Sequence, residues 1–170
     1  LSSNSVNIYD FTGIEDFTAL KVFAFEDNLT VQSLDLTSNT ALTHVTGFRC
    51  RNLSSLDVST CTSLISLNCQ YTSLKSLDLS NNSALRYLYC SDNQLTYLDL
   101  RNGNNVNMIG GVHLNFTNNP YLSCINVDDP LYCDSNWSSN IYPQNKDVHH
   151  FFSANCPPIY GCLDPLATNY

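Results

Sequence analysis

A short motif returns along the chain at a nearly fixed interval, and nothing else in the sequence restricts the possible folds so strongly. Leu34-Asp35-Leu36, Leu56-Asp57-Val58, Leu77-Asp78-Leu79 and Leu98-Asp99-Leu100 follow at steps of 22, 21 and 21 residues. A degenerate copy, Ile125-Asn126-Val127, lies 27 residues further on. Between them runs a second series: Phe23-x-Phe25-x-x-Asn28, Val45-x-Gly47-x-x-Cys50, Leu67-x-Cys69-x-x-Thr72, Leu88-x-Cys90-x-x-Asn93 and Leu114-x-Phe116-x-x-Asn119. Apolar residues alternating over so short a run read as a strand with one face buried. A unit of this length cannot bury its own apolar face; stacking units at about 4.8 Å per strand creates a continuous core. Two runs per unit predict two parallel sheets on opposite sides of a flattened coil. The Asn closing each second run is expected to turn inward and bond loop backbone, because one amide both donates and accepts. Cys50 and Thr72 hold that place in two units, and Cys61 stands where Asn39 and Asn82 stand in the other half.

Composition agrees with a solenoid and removes several alternatives. The 170 residues suffice for one domain, and 22 Asn and 23 Leu stand against two Glu and three Lys. So few helix formers other than Leu exclude a helical bundle. A net charge of -8 with seven Lys plus Arg argues against a phosphate-binding nucleic-acid surface. No stretch approaches the ~18 apolar residues of a membrane span.

The pattern resembles leucine-rich repeats, and more narrowly the 21-residue nested (IRREKO-like) subclass of secreted Bacteroidetes-type bacterial proteins. Leu85 to Leu95 (LRYLYCSDNQL), followed by TYLDL, carries the resemblance most closely. It implies a mostly β, right-handed leucine-rich repeat solenoid with two parallel sheets of short strands and little helix, and about five repeats over residues 20–127. Residues 1–19 are expected to form a partial entry turn and cap, in which Leu1, Val6, Ile8, Phe11, Ile14 and Phe17 cover the first repeat. Residues 118–156 resemble the closing segment of such proteins, with the cap proper at 128–157. Ile125, Val127, Leu131, Trp137, Ile141, Phe151 and Phe152 are expected to close the core. Residues 158–170 (GCLDPLATNY from Gly161) look like a truncated linker and the start of a further motif, so the chain reads as a segment of a longer secreted protein. The arcs Leu20 to Val31 and Leu42 to Leu53 span 11 residues where the next two span 10. The long last interval, around Gly103, Gly110 and Gly111, predicts a bulge or protruding loop.

The eight cysteines divide into two groups. Cys69 and Cys90 fall at inward strand positions and Cys50 and Cys61 at Asn-type positions, where reduced, buried thiols act as small hydrophobes. For Cys124, Cys133, Cys156 and Cys162 the resemblance implies a Cys124–Cys156 disulfide, leaving Cys133 either paired with Cys162 or, like it, free. Such a staple belongs to an oxidising, extracellular compartment, secreted or at the cell surface. A zinc site fails on spacing, since no C-x-x-C occurs and His149-His150 lack a nearby cysteine pair. No G-x-S-x-G, H-E-x-x-H or glycine-rich phosphate loop is present, and the reading is non-enzymatic.

Two outer faces remain. One carries the Asp ladder Asp35, Asp57, Asp78 and Asp99, whose mutual repulsion must be offset by flanking Ser hydroxyls, turn N–H groups, Lys75, Arg101 or a bound calcium ion. Asp128, Asp129 and Asp164 offer a second calcium possibility; the reading favours a hydrogen-bonded ladder without a cofactor. The other face varies from repeat to repeat, as a recognition surface does. Its candidate binding residues are His44, Phe48, Asn68, Gln70, Tyr71, Arg86, Tyr87, Tyr89, His113 and Asn115, aromatic and hydrogen-bonding anchors of the type enriched at interfaces. The expected function is a protein- or glycan-binding adhesion module. The alternatives are a structural spacer with no ligand of its own and an accessory domain of a secreted polysaccharide-degrading enzyme.

Overall fold

The computed structural model describes residues 8, 10–108, 113–137 and 149–157. In chain order its strands are β1 (Val22–Ala24), β2 (Ser33–Asp35), β3 (His44–Thr46), β4 (Ser55–Asp57), β5 (Ser66–Asn68), β6 (Ser76–Asp78), β7 (Tyr87–Tyr89), β8 (Tyr97–Leu100), β9 (Leu114–Asn115), β10 (Cys124–Val127) and β11 (Phe151–Ser153), with helix α1 (Pro130–Trp137) between the last two. The odd-numbered strands β1-β3-β5-β7-β9 form one parallel five-stranded sheet, here the variable sheet. The opposite wall is also parallel, but it is split into β2-β4 and β6-β8-β10-β11. The expected mostly β, leucine-rich-repeat-type solenoid is therefore the fold. The split falls where the connecting arc shortens from 11 to 10 residues. Beside it the coils stay joined by Ser73 N–H to Leu53 O (2.8 Å) and by the Asn82 amide to Val58 O (2.9 Å).

Register explains the core. Phe23, Val45, Leu67, Leu88 and Leu114 stand level across the variable sheet and are all buried. The next inward column is Phe25, Gly47, Cys69, Cys90 and Phe116. Gly47 is required there: a Cβ on it would lie 2.5 Å from Cζ of Phe25. A glycine in one coil thus makes room for a phenylalanine in the coil below.

The Asn positions work as expected. The Asn93 amide donates to Cys69 O (2.8 Å) and Cys90 O (3.2 Å), and its oxygen accepts from Leu74 N–H (2.9 Å). Asn119 repeats this one coil later, to Cys90 O, Phe116 O and Leu95 N–H. On the other side Asn39 and Asn82 donate inward, while their Oδ1 atoms are buried without a partner among the described residues. Cys61 substitutes between them, its thiol reaching Leu36 O (3.5 Å) and Asn39 O (3.6 Å).

The ends correct several expectations. Ile14 is buried, and Phe11 packs edge-on against Phe23 and Phe25. Phe17, expected to cover the core, is 52% exposed; its carbonyl, not its ring, is used, accepting from the Asn39 amide at 3.0 Å. Leu1 and Val6 lie outside the described residues. At the other end Ile125, Val127, Trp137 and Phe152 are buried, but Leu131 and Phe151 are exposed. Strand alternation turns Phe151 outward when Phe152 turns in. On α1, Cys133 and Trp137, one turn apart, face the core, and Leu131 falls on the other side. Ile141 lies outside the described residues. Asp129 caps α1, its carboxylate accepting Tyr132 N–H at 3.0 Å, with Pro130 at the first helical position. In the described part of the long last interval Asn102, Asn105 and Met108 are buried around a 3-10 turn at Asn105–Asn107, while Gly103, Val106 and Asn107 are exposed. Gly110 and Gly111 lie outside the described residues.

Cys124 and Cys156 are joined by a disulfide with Cα atoms 5.8 Å apart. Cys50, Cys61, Cys69, Cys90 and Cys133 are free and buried; Cys162 lies outside the described residues.

Candidate recognition surface

The two outer faces differ in chemistry. On the split wall each aspartate satisfies itself locally. Asp35, Asp57 and Asp78 accept the N–H two residues on, from Thr37, Ser59 and Ser80, at 2.8–2.9 Å. Asp99 accepts from Arg101 N–H and is clamped by its guanidinium, while Tyr97 donates its hydroxyl at 2.8 Å. Burial alone would raise the Asp99 carboxyl; Arg101 and Tyr97 outweigh it and hold it below the ordinary carboxylate range. These turn bonds and the Arg101 clamp are among the partners expected to offset the repulsion of the ladder. Asp128 accepts Gly103 N–H at 2.9 Å, and Asp164 lies outside the described residues. Among the described residues no group of three or more His, Cys, Asp or Glu is placed to hold a metal ion.

The variable sheet presents its outward residues in rows, because parallel register sets equivalent positions side by side. His44, Ser66 and Tyr87 form the first row. His113 lies beside Tyr87, with ring centroids 4.9 Å apart, and its Nδ1 is buried with no partner among the described residues. Arg86 is exposed at the same end of β7. The middle row is Thr46, Asn68, Tyr89 and Asn115. Asn68 and Asn115 are partly engaged with their own strand ends, accepting N–H from Gln70 and Thr117 at 3.2 Å.

At the far end of the strands lies a third group. Phe48 and Tyr71 meet edge to face at 5.6 Å, and the Arg49 guanidinium stands 4.7 Å from the Phe48 ring centre. Gln70 donates its amide to Ser91 Oγ, Ser91 donates to Asp92 Oδ2, and the Asn118 amide donates to Asp92 Oδ1, all at 2.8–2.9 Å. The ten candidates therefore share one face in three groups, one at each end of the strands and the row of Asn68, Tyr89 and Asn115 between them.

Arg49, Asp92 and Asn118 escaped the sequence reading. Their common signal is conformational. Asp27, Arg49, Tyr71, Asp92 and Asn118 all have φ between 56° and 61°, one per coil at the same corner. The coil turns off the sheet there, and backbone bonds hold the row: Arg49 N–H to Gln70 O, Tyr71 N–H to Ser91 O and Asp92 N–H to Thr117 O, at 3.0–3.1 Å. Asp and Asn tolerate this left-handed geometry; Arg and Tyr do so at a cost. The recurring Asp or Asn just past the strand was the trace available in the sequence.

A coil of short parallel strands with apolar ladders inside and a variable outer sheet defines the leucine-rich-repeat type of architecture. Within that class, the chain is similar to the solved functional domain of InlJ from Listeria monocytogenes, described as including a cysteine ladder. The identity is 28% and the TM-score 0.52, over 74% of this chain and 24% of that one, so the match spans about a quarter of the length of that solved chain. No protein-family model matches the chain, and a comparison with curated proteins gives no match.

Proposed function

We infer that the chain is a non-enzymatic recognition module that holds a protein or glycan on the outer face of its variable sheet. The contrast between the two walls carries this reading. The split wall repeats Ser-Leu-Asp three times, at β2, β4 and β6, with its carboxylates consumed by its own backbone. The variable sheet sets His44, Phe48, Gln70, Tyr71, Arg86, Tyr87, Tyr89 and His113 on an equally regular backbone. A rigid scaffold that keeps its spacing while changing its side chains suits selective binding. The likeness to a leucine-rich-repeat domain supports a binding role in general. The Cys124–Cys156 staple suits a secreted or surface-attached protein, and the bacterial neighbour supports a bacterial source.

The test is a paired screen of the intact chain against immobilised glycans and extracellular proteins, with the triple variant His44→Ala, Tyr87→Ala, Tyr89→Ala beside it. Specific binding that the triple variant weakens is the expected result. If nothing binds, and an unrelated rigid domain of equal length replaces the repeats without loss of function in the parent protein, the chain is a spacer.

A further inference from the structure

Resting on that reading, we propose that the corner of the variable sheet around Tyr71 and Asp92 is a subsite for a neutral oligosaccharide, with a pyranose ring stacked on Tyr71. Tyr71 is 40% exposed and holds φ 57°, a conformation that the equivalent positions fill with Asp27, Arg49, Asp92 and Asn118. A bulky side chain kept in the left-handed region, at a site where Asn or Asp serves the backbone better, points to a use for its ring. Phe48, braced on one side by Arg49, meets the Tyr71 ring edge to face and fixes its orientation.

The polar neighbours suit hydroxyl groups. Gln70, Ser91, Asp92 and Asn118 form one relay in which every donor direction is set. Each Asp92 oxygen accepts one bond within the relay and keeps lone-pair capacity for another. A carboxylate whose two oxygens are held in this way can accept from two adjacent hydroxyls. A sugar ring offers that pair at its rim, together with an apolar C–H face for the aromatic ring. The step of about 4.8 Å between strands is close to the length of one pyranose unit. An oligosaccharide crossing the strands would thus meet one coil per sugar. The middle row beside the corner, Ala24, Thr46, Asn68, Tyr89 and Asn115, offers only one large side chain. A protein interface calls for a cluster of buried anchors. Arg49 and Asp92, the corner residues of the coils on either side of Tyr71, carry opposite charges, and Asp27 lies one coil beyond Arg49; this favours an uncharged glycan over an anionic one.

The experiment is calorimetric titration of the full chain with short neutral gluco-, galacto- and manno-oligosaccharides. At least one series binds, and Tyr71→Asn, which suits the corner backbone, weakens it by about tenfold or more. Asp92→Asn, equally compatible with the backbone, also weakens it; Tyr71→Phe retains it. Tyr121→Ala, at an exposed position in the turn before β10, leaves it unchanged. Unaltered thermal midpoints show that Tyr71→Asn and Asp92→Asn remain folded. The proposal is overturned if no neutral oligosaccharide binds, or if binding ignores both Tyr71→Asn and Asp92→Asn. Binding of a protein, but no glycan, through the variable sheet overturns the subsite and leaves the recognition reading standing. Binding of neither class overturns both.

Discussion

Gly47 and the buried thiols show how single side chains are chosen by their neighbours along a ladder. Placing Ala at 47 puts a methyl 2.5 Å from the Phe25 ring, so Gly47→Ala should destabilise by about 2 kcal/mol, as overpacking does. Combining it with Phe25→Leu should recover much of that loss. Additive losses in a chemical denaturation cycle would show that the two residues do not share space. Burial pushes the thiols of Cys50 and Cys61 up to about 11 and those of Cys69 and Cys133 to about 12; Cys90 rises as well, with Cys69 beside it adding to the effect. The thiolate is the reactive form. At neutral pH these groups should therefore react with a thiol reagent only at the rate at which the coil opens, and all of them readily in denaturant. Prompt labelling of the native chain would contradict that burial. The column of Cys69 and Cys90 was legible in the sequence, but the reason for Gly47 was not, since it depends on which ring lies below it.

Strands and caps respond differently. Asp99, held below the ordinary carboxylate range by Arg101 and Tyr97 against its own burial, stabilises the folded state fully above the unfolded value of about 4. That contribution is lost as pH falls through the depressed folded value. Asp99→Asn should lower stability at neutral pH and flatten the acid limb of stability against pH; an unchanged acid limb would remove Asp99 from the account. The disulfide closes a span of 32 residues around α1 and β11. Replacing both cysteines by Ser should cost about 3 kcal/mol through the freed unfolded chain, read as a lower denaturant midpoint. Short strands were predictable from the alternation of Leu and polar residues. The division of the second wall was not, because the arc length that changes there acts only when coils are stacked.

For the molecule as a whole, the decisive feature is that a solenoid has two open ends. Trp137 and Phe152 meet edge to face at 5.6 Å, and the indole N–H donates to Met108 O at 3.0 Å. Trp137→Ala should cost about 3–4 kcal/mol and lower the thermal midpoint of the repeats together with the cap. A separate low-temperature transition, with the repeats unchanged, would mean that the cap folds independently. Leu131 and Phe151 were reasonable cap candidates by hydrophobicity alone, yet both face solvent. Their directions follow from a helical turn and a strand alternation whose phases the sequence does not mark.

The sequence by itself determined the repeat, the two walls, the inward columns and the places where Asn or its substitutes turn in. Those follow from short-range periodicity, which is local and survives without knowledge of neighbours. Tertiary structure decided what depends on juxtaposition across coils: the Gly47–Phe25 fit, the break in the second wall and the phase of the caps. It also brought together residues from four coils, Arg49, Tyr71, Asp92 and Asn118, whose shared backbone geometry at one corner appears only when the coils are stacked. Residues about 21 positions apart become neighbours at strand spacing, and this proximity is what turns a repeated motif into a surface.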